Sequence, residues 1–207
     1  MSLTHILLVR HGRTEWNRED RFRGRADISL DELGIEQAQA TAERIASGWP
    51  VSVIYYSPLK RARMTAEITG KQTGHEAIPL QGIIDMDFGL WQGLSRKEAQ
   101  EQDKDLYLLW QHQPERVRFP GGESLDEVRE RAGKAVDELV RQHGGQTIVL
   151  VSHRVVCMLL IMYIMDIETS HFWQIGQDVC AINLFQVRDG VAYALMLNDT
   201  GHLKDLQ

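Results

Sequence analysis

Two histidines and two arginines of this chain follow apolar runs of the kind that form buried strands. Arg10 and His11 are adjacent after the first run, Arg61 follows the second, and His153 follows a later one. A neutral imidazole nitrogen can attack phosphorus, and a second imidazole can donate a hydrogen bond to a phosphoryl oxygen. Guanidinium groups supply forked donors for the remaining oxygens. These residue types predict a site that handles a phosphoryl group.

The apolar runs at 5–9, 51–56 and 147–151 predict three strands of one sheet, with a short strand near 78–80. Because the carboxyl ends of parallel strands meet at one edge, the histidines and arginines should converge there. Helical patterns alternate with the strands, and residues 179–187 and 191–197 predict a hairpin. The predicted helices cover 31–47, 59–72, 95–110, 124–143 and a segment after residue 153. We therefore expect one domain over residues 1–207, an α/β fold with three α/β/α layers and a mostly parallel central sheet.

Charge and composition exclude several classes of protein. The chain has 23 Lys and Arg against 29 Asp and Glu, a net charge of −6, which argues against general nucleic-acid binding. An arginine-dense segment at 10–25 instead suits a small anion. The apolar run 155–165 is too short to span a membrane, and the first residues lack a secretion signal. Cys157 and Cys180 lack metal-type spacing and are expected to be free thiols, so we expect a cytoplasmic protein.

Five blocks of the sequence resemble the histidine phosphatase superfamily, which includes cofactor-dependent phosphoglycerate mutases. They are LVRHGRTEWN at 8–17, SPLKRARMTA at 57–66, FGLWQG at 88–93, GGESL at 121–125 and VSH at 151–153. The resemblance implies a phosphoglycerate mutase-like fold and catalysis without metal or cofactor. It implies that His11 accepts the phosphoryl group. It also implies that Arg10, Asn17, Arg61 and His153 bind the phosphoryl oxygens.

The general acid should precede the FGLWQG block, where the family commonly has glutamate. This chain has Asp85 at that position, and an aspartate can protonate the leaving alkoxide and then activate water. The side chain is one methylene shorter, which reduces its reach by roughly 1.5 Å. Asp87 is therefore an alternative, although Asp85 is favoured.

Four further residues are candidate substrate contacts. Arg23 and Gly24 lie in a segment that lines the site in relatives, and Arg23 could hold a substrate carboxylate. Arg154 replaces the small residue that usually follows the second histidine, and it could contact substrate or point to solvent. His202 lies in a tail that could fold over the site. We expect Gly12 to let the backbone approach the phosphoryl group closely.

Three functions fit these residues. Hydrolysis of a small phosphorylated metabolite is favoured over mutase activity, because only about thirty residues separate Gly93 from Gly121 and a short cover admits water. The third function is that of a catalytically silent protein that binds a partner through its phosphate pocket. Several blocks resemble metal-independent phosphoserine phosphatases, while α-ribazole phosphate and sugar phosphates remain alternative substrates. The C-terminal hairpin and the helix from Val155 could form a homodimer interface or complete the core.

Overall fold

A computed structural model describes residues 3–206, which contain six strands in one sheet. The strands are β1 (Thr4–Arg10), β2 (Val53–Tyr56), β3 (Ala77–Pro79), β4 (Thr147–Ser152), β5 (Ile182–Arg188) and β6 (Val191–Asp199). Their order across the sheet is β3-β2-β4-β1-β5-β6. The first four strands in that order pair in parallel, while β5 and β6 are antiparallel to their neighbours. The expected mostly parallel sheet is confirmed.

Helices cover both faces of this sheet. Helices α2 and α3 pack together on one face, with α6 and α7 on the other. The seven α-helices of the described chain are α1 (Glu15–Arg18), α2 (Glu32–Gly48), α3 (Lys60–Thr73), α4 (Arg96–Gln102), α5 (Lys104–His112), α6 (Leu125–Gln142) and α7 (Arg154–Ile164). The three-layer α/β/α arrangement is therefore confirmed.

The central strand β1 is buried on both of its faces. Leu7 and Val9 pack in the cluster that α2 and α3 cover, whereas Ile6 and Leu8 pack in the cluster under α6 and α7. Successive side chains of a strand point to opposite faces, so a strand with two covered faces needs a continuous apolar run. This burial fixes the end of β1, and with it the position of the two residues that follow.

The apolar run after His153 completes the core, as α7. Its residues from Val155 to Met162 are all buried. Within residues 3–206, no helix combines the length and apolarity that crossing a membrane requires. Cys157 and Cys180 are buried and free, as the sequence predicted.

Two predicted elements differ from the structure. The single helix expected over 95–110 is two helices, because Asp103 adopts an extended conformation and its side chain caps α5 by accepting a hydrogen bond from the amide of Leu106. The hairpin begins at Ile182 rather than residue 179. Asp189 and Gly190 both have positive φ angles, as a two-residue type I′ turn requires.

Candidate active site

The carboxyl ends of β2, β4 and β1 lie side by side and carry the predicted site residues. The amide of His11 donates to the carbonyl of Ser152 (2.9 Å), and the amide of Ser57 donates to the carbonyl of Val151 (3.0 Å). These contacts continue the parallel ladders past the strand ends. The imidazole rings of His11 and His153 consequently lie 5.2 Å apart, centroid to centroid.

His11 is held in one tautomer. Its Nδ1 lies 2.6 Å from the carbonyl oxygen of Gly12, which can only accept a hydrogen bond, so Nδ1 carries the proton. Burial, together with the nearby guanidinium groups of Arg61 and Arg10, holds the pKa of His11 well below its usual value. The ring is therefore neutral at pH 7, and Nε2 has the free electron pair of a nucleophile.

Arg10 is a buried cation without an acidic partner in the described chain. Its Nη1 donates to the carbonyl of Gln177 (2.6 Å), while its Nε is buried and makes no hydrogen bond within residues 3–206. Burial lowers the pKa of Arg10 to about 9, and the charges of Arg23 and Arg154 act in the same direction. A phosphoryl group bound here would compensate this concentration of positive charge.

His153 has the complementary tautomer. The Nε of Arg61 donates to its Nδ1 (3.1 Å), so the proton lies on Nε2, which is 2.6 Å from the hydroxyl of Ser57. Burial and the charge of Arg61 lower the pKa of His153 well below its usual value. A neutral His153 thus has one N–H, which can donate to a hydroxyl or to a phosphoryl oxygen.

Arg61 is fully buried and organises the site. Besides its contact with His153, it donates from Nη1 to the carbonyl of Ala26 and from Nη2 to the carbonyl of Gly24, both at 2.7 Å. Its Nη2 also lies 2.8 Å from the carboxylate of Asp85. Four of the five N–H groups of a guanidinium are thereby occupied. Arg61 thus holds the loop at residues 24–26, the candidate acid Asp85 and the second histidine, His153, in fixed positions relative to one another.

The carboxylates of Asp85 and Asp87 have different surroundings. Asp85 is buried beside Arg61 and lines the crevice, and burial raises its pKa against the opposing charges of Arg61 and Arg23. The carboxylate of Asp87 instead accepts from the amide of Gly89 (2.8 Å) and forms an ion pair with Arg25 (3.2 Å). The raised pKa and the location of Asp85 suit a general acid, whereas Asp87 holds its own loop.

An open crevice of about 470 Å³ adjoins Asp85, and Arg23, Gly24 and Arg154 all line it. The Nη1 of Arg23 lies 3.3 Å from the carbonyl of Trp16, and its buried Nε makes no hydrogen bond within the described residues. The guanidinium of Arg154 lies 5.9 Å from the centre of the Trp173 ring. Arg23 and Arg154 are therefore placed to contact whatever enters the crevice.

Two candidate residues do not line this crevice. The Nε2 of His202 is 3.0 Å from the hydroxyl of Thr41 on α2, and the contact of His202 with substrate stays a prediction. The amide oxygen of Asn17 accepts from the backbone amide and hydroxyl of Thr14, where it caps α1. Only the amide nitrogen of Asn17 remains to contact an anion.

The structure shows why residue 12 is glycine. A Cβ atom at Gly12 would overlap the carbonyl oxygen of Gly34, so the segment after β1 approaches α2 closely. The expected approach of the Gly12 backbone to the phosphoryl group stays a prediction. Sequence reasoning missed two positioning residues, Ser57 and Gln177. Ser57 is the first residue of the SPLKRARMTA segment, so the sequence contained a signal for it. Gln177 acts through its backbone carbonyl, which no pattern of side chains reveals.

The described residues contain no group of three or more His, Cys, Asp or Glu side chains that could hold a metal ion. The charged groups that converge on His11 are mostly guanidinium groups, which compensate a phosphoryl group directly.

Comparisons with known proteins identify one family. The family model for the histidine phosphatase superfamily (branch 1) matches residues 6–200. Phosphoserine phosphatase 1 of Hydrogenobacter thermophilus is 34% identical over 201 residues, which cover 97% of this chain and 95% of that protein.

Two solved structures share the fold along the whole chain. YhfR of Bacillus stearothermophilus superposes with a TM-score of 0.92 at 27% identity, covering 97% of this chain and 100% of that one. A mutant phosphoserine phosphatase from Entamoeba histolytica, in complex with phosphoserine, has a TM-score of 0.85 at 28% identity and covers 97% and 99% of the two chains.

Proposed function

This chain belongs to the histidine phosphatase superfamily and is a phosphoric monoester hydrolase of that type, and we propose that it works through transient phosphorylation of His11. One observation carries this proposal. A neutral His11, with Nε2 free, lies beside the buried guanidinium of Arg10, whose Nε makes no hydrogen bond within residues 3–206. A nucleophile and an anion-binding group are thus present together, as phosphoryl transfer requires.

In the first step, the Nε2 of His11 forms a bond to phosphorus while the bond from phosphorus to the alcohol oxygen breaks. Asp85 in its protonated form donates its proton to that oxygen, so the alcohol leaves neutral. In the second step, Asp85 as carboxylate removes a proton from water, and the water oxygen attacks phosphorus. The bond to His11 then breaks, which releases inorganic phosphate and restores both residues.

The remaining residues stabilise the negative charge of the phosphoryl oxygens. Arg10 donates its unoccupied N–H groups, and the Nε2–H of His153 turns from Ser57 to an oxygen. Asn17 contributes its amide nitrogen. Arg61 acts chiefly by holding Asp85 and His153, with one N–H left for the phosphoryl group.

The substrate that we propose is a small phosphorylated metabolite of the phosphoserine kind, without a metal or other cofactor. The relatives named as phosphoserine phosphatases support this choice, and one of them binds phosphoserine. Arg23 lies in the crevice beside Asp85, where it could pair with a carboxylate of the substrate. α-Ribazole phosphate and sugar phosphates remain alternative substrates.

A panel assay tests the proposal. The purified protein, treated with a chelator, should release phosphate from at least one of phosphoserine, 3-phosphoglycerate, α-ribazole phosphate and sugar phosphates. Folded protein that hydrolyses none of them would contradict the enzyme and favour a silent phosphate-binding partner. Transfer to glycerate faster than release, with bisphosphorylated cofactor supplied, would favour a phosphoglycerate mutase.

We also propose a cytoplasmic location and a homodimer. The free, buried thiols of Cys157 and Cys180 support a reducing cytoplasm. Because α7 is buried in the core, a homodimer would use the hairpin, and no nucleic acid or membrane is proposed as a partner. On β6, the side chains of Val191, Tyr193, Leu195 and Leu197 are exposed on alternate positions of an edge strand.

A further inference from the structure

The crevice beside Asp85 is larger than phosphoserine requires. Its volume is about 470 Å³, and His11 and Arg10 are not among the residues that line it, so the phosphoryl group lies beyond its inner end. The seryl group is no larger than six water molecules, or roughly 180 Å³ at about 30 Å³ per water. Most of the crevice would therefore stay unfilled by the seryl group.

The crevice lies where the leaving group must go. The proposed acid Asp85 reaches the oxygen that joins the phosphoryl group to the alcohol, so the rest of the alcohol extends past Asp85 and away from His11. Asp85, Arg23 and Gly24 are all among the residues that line the crevice. The walls beyond them are consequently the surface that the body of the alcohol contacts.

Aromatic residues form one part of this lining, and charged residues form another. The aromatic residues are two tryptophans, three phenylalanines and a tyrosine, namely Phe22, Phe88, Tyr107, Trp110, Phe172 and Trp173. Most of them are buried, and Trp173 is the most exposed of the six. Aromatic surfaces of this kind bind flat apolar groups through stacked or edge-to-face contacts.

The aromatic rings of this lining pack against one another. The ring centres of Trp110 and Trp173 are 5.0 Å apart, and those of Phe172 and Trp173 are 4.8 Å apart, both edge to face. The indole N–H of Trp173 donates to the carbonyl of Trp110 (2.8 Å), which fixes its ring. Trp173 is nevertheless 41% exposed, so apolar surface that a ligand could cover faces solvent.

Arg154 extends this wall with a polar edge. Its guanidinium lies near the Trp173 ring, and within residues 3–206 no carboxylate forms an ion pair with it. Arginine can stack on a flat group and donate hydrogen bonds from its rim at the same time. Arg154 stands where the histidine phosphatase superfamily usually has a small residue. A contact with the body of the alcohol gives this difference a role in substrate binding.

We propose, resting on the phosphatase function, that the preferred substrates are phosphomonoesters of alcohols that carry a flat aromatic body. That body lies against the exposed ring of Trp173, which packs on the buried rings of Trp110 and Phe172, and beside Arg154. Phosphoserine then represents the phosphorylated end of a preferred substrate and not its full extent.

Two matched esters test this inference. N-acetyl-O-phosphoserine and N-benzoyl-O-phosphoserine have the same phosphoester, carboxylate and neutral amide, and they differ in the ring. The benzoyl ester should have a kcat/KM on the order of tenfold higher, because its ring covers the exposed aromatic surface. Trp173→Ser should reduce this preference to less than about threefold, whereas Tyr193→Ser, on the distant strand β6, should leave the ratio unchanged.

Binding to the His11→Ala protein, measured by calorimetry, separates this inference from the enzyme assignment. Tighter binding of the benzoyl ester supports the inference even if the wild-type protein hydrolyses neither ester, and in that case the phosphatase proposal fails alone. Equal hydrolysis and equal binding of the two esters would overturn the inference while leaving the phosphatase intact. Weaker binding of the benzoyl ester would also overturn it.

Discussion

His11 depends on its immediate neighbours for its reactivity. The carbonyl of Gly12 fixes the proton on Nδ1, and the buried charges of Arg61 and Arg10 keep the ring neutral. A protonated imidazole has no electron pair to offer phosphorus, so neutrality is a condition of the chemistry. The same arginines thus prepare the nucleophile and attract its target.

Replacing His11 by alanine should abolish turnover, because the change removes the atom that forms the bond to phosphorus. Wild-type protein that is mixed with labelled substrate and quenched should carry acid-labile phosphate, and His11→Ala should carry none. His171→Ala, at an exposed position, should retain label and activity. Residual turnover of His11→Ala above a few per cent would exclude His11 as the acceptor.

Asp85→Asn should lower kcat on the order of a hundredfold or more, because asparagine can neither protonate the leaving oxygen nor accept a proton from water. Asp87→Asn, which alters an ion pair with Arg25, should have a much smaller effect. Steady-state kinetics of both variants decides between them. A larger loss in Asp87→Asn would reverse the assignment.

The two buried histidines should make the protein less stable in mild acid. Their pKa values are lowered in the folded state, so below about 6.5 the unfolded chain binds protons that the folded one does not. The free energy of unfolding should then fall by up to about 1.4 kcal/mol per pH unit for each histidine. The raised pKa of Asp85 acts in the opposite sense.

Urea unfolding between about pH 7.5 and 5.5 measures this slope. The double variant His11→Gln/His153→Gln should have a shallower one, because it lacks both titrating groups. An unchanged slope in the double variant would contradict buried, neutral histidines.

Sequence reasoning reached the residue types of the site but not their contacts. Apolar runs that end in Arg10, His11 and His153 indicate a shared sheet edge, because parallel strands align their carboxyl ends. The near-complete use of the donors of Arg61 depends on the loop carbonyls of Gly24 and Ala26. Backbone groups of irregular loops have no sequence signature.

At the scale of elements, the contact between the segment after β1 and α2 is made without side chains. A Cβ atom at Gly34 would overlap the backbone of Arg13, two residues after His11. Gly34→Ala should therefore destabilise the protein by about 1–3 kcal/mol and reduce activity, because the segment that holds His11 must shift.

Gly48→Ala is the matched control in the same helix. Only the flexible end of Arg44 approaches that position, so the free energy of unfolding should change by less than about 1 kcal/mol. Chemical denaturation and kcat of both variants test the pair. Equal effects of the two substitutions would contradict the tight contact.

The sequence pattern does not predict the boundary between helices α4 and α5. Polar residues with helical spacing run through residue 103, and the pattern predicts one helix. Asp103 ends one helix and caps the next, because a short acidic side chain can accept from backbone amides. The periodicity of side chains does not register this break.

At the scale of the whole molecule, the exposed edge of β6 should hold two copies together. Its free backbone groups and apolar side chains suit antiparallel pairing with the same strand of a second copy. Leu195→Lys should convert a dimer into a monomer in sedimentation velocity, whereas Leu90→Lys, at another exposed leucine, should not. A wild-type protein that stays monomeric at roughly tens of micromolar would contradict this assembly.

The central position of β1 has a consequence for how the protein is made. β1 lies between β4 and β5, whose residues are more than a hundred positions further along the chain. A ribosome releases the chain from its N-terminus, so His11 emerges long before the strands that flank it. Until those strands are synthesised, the histidine has neither His153 beside it nor the burial that keeps its ring neutral. Catalytic competence should therefore appear in one late step of folding, and nascent fragments should be inert towards phosphate esters.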